Sequence, residues 1–149
     1  MSEPCGTLVS ERTITNKHYI ALEQHGKHLA FEFGKFRMAE CSCFGLSWFV
    51  WERVNGINNV GWFRLNATNR VLTVNPDLKS LSLEPHDRKH PVDSQLWSIV
   101  GNPGRADIRS QIKQNGHHLF LYASYAGKVG LKINPQNNNL WKIKHGKVI

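Results

Sequence analysis

No apolar run in this chain approaches the roughly 18–20 residues that cross a bilayer, so a membrane-spanning helix is not expected. The stretch Met1 to Ser10 lacks a basic patch followed by an apolar segment, so no secretory leader is expected either. The expected location is cytoplasmic, with non-classical release as the route outward. Cysteine is scarce. Three residues cannot all pair, and Cys41 and Cys43 stand two apart, which argues against a disulfide-stapled scaffold. Acids are also few: eleven Asp and Glu face nineteen Lys and Arg, and their dispersal gives no sign of a two-carboxylate glycosidase centre. Nucleophile elbows, phosphate-binding loops and zinc-protease phrases are missing. Catalysis, a cofactor and a metal are therefore not expected. Helical periodicity is nearly absent, and only Ser10–Asn16 and Arg105–Lys113 are compatible with a helix.

What is present is a basic chain with strong turn punctuation. Its 149 residues fit one domain. The formal charge of +8, with a pI near 9.7 and a mean hydropathy of −0.41, favours anionic partners but says nothing about fold. The lysines are scattered rather than blocked, as on a solvated surface. Gly, Pro and Asn recur about every ten residues. Between them lie short alternating segments such as His28-Leu29-Ala30-Phe31-Glu32-Phe33 and His118-Leu119-Phe120-Leu121-Tyr122. This pattern predicts an all-β domain.

A repeat sharpens the prediction. The phrases Leu46-Ser47-Trp48-Phe49-Val50, Gln95-Leu96-Trp97-Ser98-Ile99 and Asn139-Leu140-Trp141-Lys142-Ile143 are related, with tryptophans 49 and 44 residues apart. Each is preceded by an apolar pair at an offset of seven: Leu22 to Leu29, Leu65 to Leu72, Ile112 to Leu119. A third strand follows, carrying Phe36 and Met38, Leu81 and Leu83, or Val129 and Leu131. Three units of four strands, near residues 14–54, 58–101 and 105–149, describe a β-trefoil: a six-stranded barrel with a hairpin cap. A sandwich accounts for the strand spacing but not for the repeated tryptophan, and three blades are too few for a propeller. Leu29, Leu72 and Leu119 are expected to be equivalent, as are Trp48, Trp97 and Trp141, all as core residues. Trp51 and Trp62 lie outside the phrase, where core filling competes with an exposed stacking platform.

Gln95-Leu96-Trp97 resembles the Gln-x-Trp phrase that closes each subdomain of ricin B-type lectins. Asn138-Asn139-Leu140-Trp141 is similar with its Gln changed to Asn, and Leu46-Ser47-Trp48 keeps the tryptophan alone. Gly127-Lys128-Val129-Gly130-Leu131 is also similar to the Gly-Lys-x-x-Leu units of fascin- and hisactophilin-like trefoils. The first resemblance implies a non-enzymatic lectin for glycans or glycoconjugates. Its sugar would be held by a carboxylate after the second strand, an aromatic platform and an Asn before the Gln-x-Trp. By strand alignment the carboxylate position is Glu32, Asn75 or Tyr122, and the Asn position is Gly45, Ser94 or Asn138; no unit keeps both. Binding loops are expected at Asn75–Asp77, His86–Ser94 and Gln136–Asn139, giving Glu32, Asn75, Asp77, His86, His90, Ser94, Tyr122 and Asn138 as candidate site residues.

The second resemblance implies the alternative, a binder of actin or another anionic polymer such as sulfated glycan or nucleic acid. Lys27, Lys35, Lys128, Lys132, Lys142, Lys144 and Lys147 would carry it. Eight histidines fall largely into three local groups: His25 with His28, His86 with His90, His117 with His118. None has a Cys partner at zinc spacing, so a pH-dependent charge is expected of them rather than a metal. The sequence implies no oligomeric state.

Overall fold

The computed structural model describes residues 18–40, 48–54, 59–133 and 139–145. Among the described residues twelve antiparallel strands form one continuous sheet. They are β1 (His18–Gln24), β2 (Lys27–Glu32), β3 (Lys35–Ala39), β4 (Trp48–Arg53), β5 (Val60–Leu65) and β6 (Arg70–Val74), then β7 (Leu81–Pro85), β8 (Trp97–Asn102), β9 (Arg105–Gln114), β10 (His117–Ala123), β11 (Val129–Ile133) and β12 (Lys142–His145). A 3₁₀ turn spans Asp93–Gln95, Asn139 is also in 3₁₀ conformation, and no α-helix occurs among the described residues. No described helix is long and apolar enough to cross a membrane.

Six strands close a barrel in the order β1, β4, β5, β8, β9, β12. The closing step is made by Ala106 and Trp141, which exchange backbone hydrogen bonds of 2.9 and 2.8 Å, before β12 returns to β1. Closure removes the open sheet edges that invite aggregation. The hairpins β2–β3, β6–β7 and β10–β11 make the cap. Hairpins one and three are joined where the Met38 amide donates to the Gly127 carbonyl at 3.1 Å. This is a β-trefoil, with β1–β4, β5–β8 and β9–β12 as its three units.

Arg105–Lys113, which the sequence left compatible with a helix, is the strand β9. Ala106, Ile108 and Ser110 are buried while the residues between them are not, the period-two alternation of a half-buried strand.

The register corrects two equivalences. Trp97 lies opposite Gly61 within unit two and opposite Ser110 across to unit three. Trp141 lies opposite Ala106. In unit one the residue so placed is Phe49, opposite Ile20 and Leu65. Trp48 opens β4 opposite Ala21, one residue out of this register, and its side chain lies outside the described residues. Phe49, Trp97 and Trp141 are all fully buried in the main core with Leu22, Phe63 and Ile108.

The second correction concerns the cap. Leu29 pairs with Met38, Leu72 with Leu83, and Leu121, not Leu119, with Leu131. The β9–β10 hairpin is longer than its counterparts and carries a register shift between His118 and Phe120, so a constant offset of seven stops short by two. Leu119 is buried nonetheless. Trp51 joins the main core, while Trp62 joins a smaller cluster with Val54, Val60, Val71 and Leu96. Both are filling rather than platform.

Candidate functional site

A concave surface with mixed polar and apolar lining begins with the turn joining β6 to β7. Asp77 shapes this turn: its carboxylate accepts from the Lys79 and Ser80 amides at 2.8 and 2.9 Å and from the Ser80 hydroxyl at 2.8 Å. Those bonds, the Lys79 amide first, hold its pKa below the usual carboxylate range. Asp77 is thus a turn cap. The turn in turn fixes Asn75, whose Nδ2 donates to Ser80 Oγ at 2.9 Å and whose Oδ1 accepts from Ser82 Oγ at 2.7 Å. One N–H and one lone pair of that amide remain for a ligand.

Opposite stands the chain before Trp97. Gln95 donates to the Pro85 carbonyl at 2.9 Å, and Trp97 Nε1 to the Leu72 carbonyl at 3.0 Å. The Gln-x-Trp phrase is a clamp that locks the 3₁₀ turn against the β6–β7 hairpin and so brings Ser94 to the same hollow as Asn75. Unit three repeats it: Asn139 Nδ2 and Trp141 Nε1 both donate to the Leu121 carbonyl, at 2.8 and 3.2 Å.

The resulting hollow, about 400 Å³, is lined by Thr73, Val74, Asn75, Pro76, Leu78, Ser82, Glu84, Ser94 and Ile112. Hydroxyls, one amide and one carboxylate thus converge beside four apolar side chains, in the size range of small-ligand sites. Glu84, Ser82 and Ile112 were not among the sequence candidates. A signal existed for two of them: in Leu81-Ser82-Leu83-Glu84 the polar residues alternate with Leu83, which packs into the core.

The other candidates disperse. Glu32 forms an ion pair with Arg37 at 2.9 Å. The next residue, Phe33, is 93% exposed at a turn with φ of 52°. In unit three the register places Ser124, not Tyr122, at the position of Glu32 and Asn75, following the shift at Leu121. The Tyr122 ring lies under Lys132 Nζ at 3.9 Å, and Tyr125 beyond it stacks on His25 at 4.0 Å. His90 meets Asp87 at 2.9 Å on an exposed loop. His86 packs edge-on against Trp62 at 4.9 Å, where burial and then the Arg88 charge hold its pKa down. Neither histidine lines the unit-two hollow. Gly45, Gln136, Asn138 and Lys147 lie outside the described residues.

Two more features bear on charge. Lys144 is buried against Glu23 at 2.6 Å and is therefore withdrawn from any basic face. Glu52, also buried, receives Arg64 at 2.6 Å and Arg88 at 2.7 Å; burial pushes its pKa up, but the two guanidinium groups outweigh it and hold it low. Among the described residues no three His, Cys, Asp or Glu side chains gather as a metal cluster.

No protein-family profile matches the sequence, and no curated protein sequence matches it. Solved structures do match in fold. The β-trefoil lectin domain of the Vibrio vulnificus hemolysin/cytolysin, solved with N-acetyl-D-lactosamine, superposes with a TM-score of 0.65 at 16% identity, over 89% of this chain and 98% of that one. The Polyporus squamosus lectin, bound to Neu5Aca2-6Galb1-4GlcNAc, gives 0.68 at 15% identity over 87% of this chain and 49% of that one. The shared fold is the β-trefoil. A GlcNAcα1-4Gal-releasing endo-β-galactosidase from Clostridium perfringens gives 0.71 at 16% identity over 88% of this chain, which spans only 33% of that enzyme.

Proposed function

We propose that this trefoil is a carbohydrate-binding module, a non-catalytic lectin whose principal site is the unit-two hollow. The observation that carries the reading is the convergence of Asn75, Ser82, Glu84 and Ser94 beside Val74, Pro76, Leu78 and Ile112. A carboxylate accepts from sugar hydroxyls, an amide both donates and accepts, and the apolar wall takes the C–H face of a pyranose. The sugar-bound trefoils of similar fold support the same reading. Units one and three differ: Glu32 is engaged by Arg37, and the Tyr125 ring is stacked on His25. Unit two is therefore the dominant site.

A glycan array tests this. Binding is expected from the parent protein and lost in Asn75→Ala and Glu84→Ala, both of which alter groups at the surface of the hollow. Absence of binding to every neutral and acidic glycan at high protein density would overturn it. Salt separates it from an ionic mode. A site gripping hydroxyls is nearly indifferent between about 50 and 200 mM salt, whereas an ionic polymer binder with six or more phosphate contacts loses on the order of a thousandfold.

A further inference from the structure

Ile112, which lines the unit-two hollow, also lines a second hollow of about 510 Å³, completed by Asp93, Gln111, Lys113 and His118. Asp93 and Ser94 are neighbours in the 3₁₀ turn, one facing each hollow. The two spaces thus share a wall at Ile112 and a rim at residues 93–94, and β9 of unit three forms the far side.

The second hollow has a built polar lining. The Gln111 amide N–H donates to the Leu96 carbonyl at 3.0 Å, and Gln111 Nε2 donates to Ser98 Oγ at 2.8 Å, which leaves Oε1 as an acceptor. His118 Nδ1 lies 2.8 Å from the Ser110 carbonyl oxygen. A carbonyl only accepts, so Nδ1 carries a proton, and in that tautomer Nε2 is an acceptor too. With the Asp93 carboxylate this gives three acceptors beside one ammonium donor, Lys113.

The charge of the pair of hollows runs against that of the molecule. Their lining holds two carboxylates, Glu84 and Asp93, and one ammonium, Lys113, on a chain of net charge +8. An anionic ligand would be drawn to other parts of the surface; a groove rich in acceptors and poor in positive charge suits a neutral compound that brings its own hydroxyl donors.

We propose that the two hollows form one groove for a neutral oligosaccharide of at least two residues. The first residue sits in the unit-two hollow, and the second crosses Ile112 to be read through its hydroxyls by Asp93, Gln111, Lys113 and His118. This rests on the lectin reading above.

The test uses the full chain and a panel of neutral and sialylated di- to tetrasaccharides, with each neutral disaccharide compared against its two component monosaccharides by calorimetry. The parent should bind the best neutral disaccharide at least about tenfold tighter than either monosaccharide, a gain of about 1.4 kcal/mol. The variant Asp93→Asn with Lys113→Ala changes only solvent-facing groups, so it should fold, and it should lose that gain while keeping monosaccharide affinity. The inference is overturned if disaccharides bind no tighter than monosaccharides, if the variant keeps the full gain, or if sialylated chains are preferred throughout. Monosaccharide binding that survives these outcomes leaves the lectin reading standing. Loss of all glycan binding in the parent overturns both.

Discussion

Trp97 donates its indole N–H to the Leu72 carbonyl at 3.0 Å, tying the closing phrase of unit two to the cap hairpin of the same unit. Trp141 makes the corresponding bond to Leu121 at 3.2 Å, and Phe49, in the same register in unit one, has no N–H to offer. Trp97→Phe should therefore cost about 1–3 kcal/mol, since the buried Leu72 carbonyl loses its indole donor. Trp97→Ala should cost about 3–5 kcal/mol through the added cavity. Urea denaturation measures both. A Trp97→Phe variant as stable as the parent would show that the clamp contributes nothing.

His28 stands in the register that Val71 holds in unit two and Phe120 in unit three, and it is buried. Burial lowers its pKa from 6.5 to about 4. Above about pH 6.5 the ring is neutral in both folded and unfolded chains, and the stability is fully present. As pH falls toward 4 the unfolded chain takes up the proton first, so stability is lost by about 3 kcal/mol across that window. His28→Val should flatten this part of the stability-against-pH curve. Denaturation midpoints at about pH 7 and about pH 4.5 provide the check, and an unchanged difference between them in the variant would refute it.

The Glu23–Lys144 pair is buried, at 2.6 Å, with Lys142 a second cation at 3.9 Å from the same carboxylate. Removing one partner of such a pair leaves a costly buried charge. Glu23→Ala should destabilise by about 3–5 kcal/mol. Lys144→Met should cost less, because Lys142 remains beside Glu23 and the thioether chain fills the same space. The order of the two thermal midpoints tests the asymmetry, and the reverse order would contradict it.

Phe33 occupies a left-handed turn position, φ 52°, followed by Gly34 at φ 79°. A bulky side chain is strained there, and this one is almost wholly exposed, so little packing offsets the strain. Phe33→Asn creates the Asn-Gly pair that such two-residue hairpin turns prefer. It should stabilise the protein by about 1 kcal/mol, read as a raised thermal midpoint. A lowered midpoint would mean that the ring packs on something the fold requires.

Much of the architecture was written in local patterns. The alternation in segments such as Leu81-Ser82-Leu83-Glu84 and the turn residues between strands dictate β-hairpins, and the spaced tryptophan phrases dictate three units that must share one core. That Asn75 and Ser94 come near one another was also legible, because a strand-end amide and the residue before Gln95 hold fixed places relative to that phrase. Equivalence was not legible. The match of Trp48 to Trp97 followed residue type, while hydrogen-bond pairing selects Phe49, and a longer hairpin moved the third leucine from Leu119 to Leu121. Spacing along a chain cannot reveal a register shift, since register is set by which backbone groups meet across strands. Nor could the sequence assign Glu84 and Ile112 to the same hollow. Ile112 comes from the next unit, twenty-eight residues further on, and shares the hollow with Glu84 because β9 pairs with β8 and with the chain before Trp97. The chain's own pattern decided what each strand could bury; strand pairing between units decided which exposed side chains would face one another.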